Sequence, residues 1–77
     1  MTQNQKQTLL AILDFMQATD PNGNYAEYIT AETPTNDTLQ TIDDILTAWR
    51  KAEYNRNHRE QARKISRIRA KLILLYD

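Results

Sequence analysis

Six basic side chains carry the spacing in this chain most suggestive of chemistry: Arg56, Arg59, Arg63, Lys64, Arg67 and Lys71. On a helix they project opposite an apolar stripe of Ala62, Ile65, Ile68, Leu72 and Leu75, so their charge forms one continuous surface. A row of cations on one helix face displaces counterions along a phosphate backbone, which makes nucleic acid a candidate partner. An acidic protein surface satisfies the same charges, and so does solvent. Only Glu60 interrupts the run. Signals for a particular mode of reading are weak. The joint at 55–57 holds no glycine and its flanking helices are long for a helix-turn-helix. The heptads after the basic run stop almost at once, unlike a basic zipper. No aromatic residue falls between Arg56 and Lys71 to stack on bases.

The second candidate surface is apolar. Leu72-Ile73-Leu74-Leu75-Tyr76 is greasy nearly all round a helix, and Leu74 points to the side of Arg63 and Arg67. Either this tip inserts between helices of its own chain, or Ile73, Leu74 and Tyr76 meet a second molecule. Tyr25 and Tyr28 precede a loop and form either a small recognition patch or a cover over one end of the core. Trp49 lies in the middle of an apolar stripe, which favours a core role over that of a binding anchor. His58 reads as a helix-start residue. Asp43 and Asp44 are adjacent, so their side chains diverge by roughly 100° and belong to a solvated acidic face.

Catalysis and cofactor binding find little material. The chain has no cysteine, a single serine (Ser66, among Arg and Lys), one histidine and no glycine-rich phosphate loop. Its carboxylates and lone histidine lack metal-ligand spacing. No enzyme, no cofactor, no metal and no small-molecule substrate are expected.

Helices must position these surfaces. Leu39, Ile42, Ile45, Trp49 and Ala52 mark one helical face, and Ala62 through Leu75 mark another. Laid on a single rod at about 100° per residue, the two stripes would point roughly 150° apart. A break at Tyr54-Asn55-Arg56-Asn57-His58 lets both face one core; one unbroken rod is the rival. Asn57 and Glu60 have capping-box spacing, and Asn55 tolerates the left-handed conformation of a helix end. Upstream, Thr2 and Gln5 form a capping-box pair ahead of Leu9, Ile12, Leu13 and Met16. Asp20-Pro21-Asn22-Gly23 ends that helix: proline blocks continuation and Asn-Gly supplies positive-φ positions. Tyr25, Tyr28 and Ile29 share a face, which favours a short helix over an unpaired strand. After Thr33-Pro34, Thr35 or Asn36 caps the next helix. The predicted fold is all-α: a single domain, 1–77, with long helices at 3–19, 36–54 and 58–76 and a short one near 25–32.

Composition bounds the function. Seventy-seven residues without cysteine make a marginal core, so self-association or docking on a larger partner is a natural support. The opening Met1-Thr2-Gln3-Asn4-Gln5-Lys6 lacks a signal-peptide layout, and no apolar run spans a bilayer; a cytoplasmic location is expected. Net charge is zero, yet residues 1–49 hold seven acids against Lys6, a net of −6. Residues 50–77 hold nine bases against Glu53, Glu60 and Asp77, a net of +6. Such polarity fits acidic and basic helices to each other or steers a charged partner. The expected function is that of a small helical binding protein, adaptor or inhibitor in type, gripping a protein or a second copy of itself. Small adaptors and inhibitors of bacteria and their phages share this build, by analogy alone. The alternative is a nucleic-acid-binding accessory protein using the basic face.

Overall fold

Helix α1 begins where the Thr2–Gln5 pairing places it. Thr2 Oγ1 accepts from the Gln5 backbone N–H at 3.1 Å, and Gln5 Oε1 accepts from the Thr2 N–H at 2.8 Å. Two orphan donors of the first turn are thereby satisfied. A computed structural model describes residues 2–29 and 35–76; within them lie α1 (Gln3–Thr19), α2 (Asn36–Asn55) and α3 (Arg59–Ile73), with no strand among the described residues. Helix α1 buries Leu9, Ile12, Leu13 and Met16, the apolar positions at helical spacing.

The turn after α1 departs from expectation. Gly23 adopts no positive φ. It is required for space, because a Cβ there would collide with the Tyr25 ring. Gln17 latches this turn: its Nε2 donates to the Gly23 carbonyl at 2.8 Å, and its Oε1 accepts from the Tyr25 N–H at 3.3 Å. The expected short helix is a single 3-10 stretch, Tyr25–Ile29; positions 30–32 lie outside the described residues.

Helix α2 is capped by Thr35, whose side chain accepts from the Thr38 N–H at 3.3 Å. Leu39, Ile42 and Leu46 face inward. The chain then doubles back, as the shift of apolar phase requires, and α2 and α3 form the closest helix pair. The reversal falls within the predicted joint at 54–58, but its two asparagines take other roles than expected. Asn57, at φ 66, is the left-handed residue, and Asn55 is the last residue of α2. His58 occupies the N-cap of α3 without a side-chain capping bond, so the Asn57–Glu60 box does not form. Asparagine is among the few side chains that tolerate positive φ, which explains how the chain turns here without glycine.

Helix α3 buries Ala62, Ile65 and Leu72. Thr19 and Asp20 share a recess with Gln61 and Ile65, whereas Thr8 and Ile12 share one with Ile68 and Leu75, so α1 runs antiparallel to α3. Leucines and isoleucines of all three helices meet in one core with Met16 and Tyr25, and no polar side chain is fully buried among the described residues. Each fully buried Leu or Ile contributes about 1.5–3 kcal/mol, so the core is adequate but small. No described helix is long and apolar enough to cross a membrane.

Candidate functional site

Helix α3 stops at Ile73, three residues short of the predicted end at 76, and the following residues close in turns. The stop divides the apolar tip in two. Leu72 and Leu75 are buried, whereas Ile73 is 54% exposed and Leu74 78% exposed. Leu74 also borders an open groove of about 600 Å³ between α1 and α3, with Ile12, Ile68 and Leu75 in its lining and Lys71 at its edge. The α1 side of that groove contributes uncharged Asn4, Gln5, Gln7 and Thr8.

Tyr76 sits apart from this pair. Half-buried against the core, it has its hydroxyl 3.5 Å from Gln40 Oε1. Burial, and then the negative charges of Asp43 and Asp44, raise its pKa.

At the opposite end Tyr25 is buried, with its ring edge-to-face against half-buried Trp49, centroids 5.9 Å apart. Its hydroxyl donates to Asp20 Oδ2 at 2.7 Å. Burial and that carboxylate push the phenol up to about 12. Half-buried Tyr28 stacks on Tyr25 at 6.4 Å. These tyrosines therefore cover the end of the core, and Tyr25 leaves almost no surface for a partner.

The basic face is exposed along its length: Arg56, Arg59, Arg63, Lys64, Arg67 and Lys71 all face solvent. Arg56 lies 3.7 Å from Glu53, which also holds His58 Nδ1 at 2.7 Å. Among the described residues no carboxylate lies within 4 Å of the other five. Arg69 is removed from this face by Asp43, whose Oδ1 accepts from Nε at 2.7 Å. Asp43 is thus a half-buried interhelical partner and not part of a solvated acidic face. Asp44 remains exposed and accepts from Gln40 Nε2 at 2.9 Å.

The fold adds residues that linear reading of α3 missed. Arg50 and Tyr54 of α2 meet Arg59, Arg63 and Ser66 around a cleft of about 140 Å³, with Ala62 in its lining. Tyr54 is 64% exposed, so an aromatic does stand beside the basic face, supplied from the neighbouring helix. The signal was present as Arg50 and Tyr54 one turn apart, continuing the row of Leu46 along the flank of the apolar stripe of α2. No three His, Asp or Glu side chains converge to hold a metal among the described residues. Compared with models of protein families, with curated proteins and with solved structures, the chain matches none.

Proposed function

We propose that this chain is a non-enzymatic helical binding protein that acts by occupancy, associating with a second copy of itself or a protein target through Ile73 and Leu74. A cytoplasmic setting belongs to the same proposal. The observation that carries it is the 78% exposure of Leu74 beside an apolar groove, next to exposed Ile73 and buried Leu75. Burying a leucine side chain at an interface is worth about 1.5–3 kcal/mol, and the groove offers a receptor for one. The polarised charge steers the encounter without supplying its affinity. Tyr76 contributes from the rim; Tyr25 and Tyr28 serve the core end. Light scattering tests the reading: the parent should have more than monomer mass, alone or with its captured target, and Leu74→Asp should be monomeric and free. Equal mass for parent and variant, with equal target binding, removes the proposed interface.

A second reading has its own support. Five exposed cations on α3 have no carboxylate within 4 Å among the described residues, so the face is available to a polyanion such as nucleic acid.

A further inference from the structure

We infer that the cleft between the end of α2 and the start of α3 binds single-stranded nucleic acid, with Arg50, Arg59 and Arg63 on a phosphate and Tyr54 beneath a base. The site rests on the second reading above, that the basic face meets a polyanion, and gives it a location and a ligand class.

Three arginines from two helices, Arg50, Arg59 and Arg63, line one cleft. Among the described residues no carboxylate lies within 4 Å of these arginines: Glu53 pairs with Arg56 and His58, Asp43 pairs with Arg69, and Glu60 makes no ion pair. Neighbouring like charges with no ion-pair partner among the described residues are relieved by an anion, and guanidinium forks match phosphate oxygens bidentately. The Ser66 hydroxyl is a further donor in the same lining. At about 140 Å³ the cleft is well below the roughly 300 Å³ of small-molecule pockets, so it accepts a compact anionic group and leaves what is bonded to it outside.

What lies outside is decided by Tyr54. This residue borders both this cleft and the adjoining recess of Arg50, Lys51 and Asn55, and it is mostly exposed. A base attached to the bound phosphate has an aromatic face to stack on, worth about 1–3 kcal/mol. Beyond the cleft, Lys64, Arg67 and Lys71 continue the charge along α3. From Arg59 to Lys71 the helix rises about 18 Å, a track for further phosphates. A duplex keeps its bases stacked inside and gives Tyr54 nothing to hold. An acidic protein offers carboxylates and no base.

Fluorescence anisotropy on the full chain tests this with labelled oligothymidylate, a duplex of the same length, and poly-glutamate as competitor. The oligothymidylate should bind more tightly than the duplex. Tyr54→Ala should weaken it about fivefold or more, as loss of ~1 kcal/mol of stacking requires, while Tyr54→Trp should retain it. The double variant Arg50→Gln/Arg63→Gln should lower the slope of log affinity against log salt by about 0.7, the contribution of the one phosphate of a single strand held in the cleft. All are exposed positions, and circular dichroism confirms that each variant is folded. Equal binding of duplex and single strand, with Tyr54→Ala silent, overturns the cleft and leaves the polyanion reading intact. Displacement by poly-glutamate, charge for charge, overturns the cleft in favour of an acidic protein partner. No binding of any nucleic acid overturns both.

Discussion

Arg69 and Asp43 join α3 to α2 through two contacts, Nε to Oδ1 at 2.7 Å and Nη2 to Oδ2 at 3.4 Å. The two residues are 26 positions apart, so the pair fixes how the hairpin closes. Its hydrogen bond with Asp43 is the main reason the Arg69 pKa is raised. Because both side chains are half-buried, removing one strands the other away from full hydration. Asp43→Ala is expected to lower stability by about 1–3 kcal/mol, seen as a lower urea midpoint with an unchanged slope. The joint replacement Asp43→Leu/Arg69→Met should recover most of that loss, since apolar pairs of similar volume replace such ion pairs well. A double variant no more stable than Asp43→Ala would show that the pair has no such role.

Tyr25 links stability to alkaline pH. Its folded pKa of about 12 lies above the ordinary tyrosine value of about 10, so the fold favours the neutral phenol. The unfolded chain releases this proton first, and stability falls as pH rises from about 10 towards 12, having been fully present below 10. Tyr76, also raised by burial and by the Asp43 and Asp44 charges, acts in the same direction. Thermal melts across this range should show a declining midpoint, and Tyr25→Phe should flatten part of the decline. The tyrosinate absorbance of the folded parent should still be rising near pH 12, and Tyr25→Phe should lose part of that late rise. A Tyr25→Phe variant with the parent's pH dependence contradicts the assignment.

The sequence announced the hairpin through the phase of its apolar residues, because burial selects residue type directly. Leu39, Ile42, Ala62, Ile65 and Leu72 are inside as their spacing requires. The Thr2–Gln5 cap was equally legible, since donor and acceptor are three residues apart and need no tertiary context. What escaped depends on contacts distant in sequence. Asp43 read as a solvated acid until α3 brought Arg69 beside it. Tyr54 read only as part of the joint and Arg50 only as one of nine bases, until the fold set both beside Arg59 and Arg63 at one cleft. At the reversal, two asparagines two residues apart offered similar turn chemistry, and local preference did not choose between Asn55 and Asn57. Tyr25 carried its recognition and its core readings side by side, and only the position of Trp49 decided its burial.

Asn57 supplies a prediction of its own. Its φ of 66 lies in the left-handed region, where a Cβ-bearing side chain without local hydrogen bonding costs about 1–2 kcal/mol. Asn57→Ala should therefore lower the melting midpoint by roughly 4–8 °C for each kcal/mol lost in a domain of this size. Asn57→Gly should hold the midpoint nearly constant, because glycine adopts positive φ freely while its unfolded state gains entropy. Equal melting of the alanine and glycine variants would mean that this backbone position does not limit the reversal.

Leu74 separates stability of the single chain from stability of an assembly. With most of its side chain already in water, Leu74→Asp removes little core packing, and a dilute monomer should unfold within about 0.5 kcal/mol of the parent. If Leu74 mediates self-association, mass action makes the parent's melting midpoint climb with protein concentration. The aspartate variant should lose that climb, because it gives up the apolar burial of leucine and must desolvate a carboxylate against Ile12, Ile68 and Leu75 of a second copy. Ala11 and Ile12 line the groove and Ile12 is also core, so Ala11→Glu is the cleaner change on the receptor side. It should abolish the concentration dependence as Leu74→Asp does, and combining the two should add nothing further. Melting curves of the parent that superimpose at every concentration would exclude a second copy as the occupant and leave a different protein as the target of this surface.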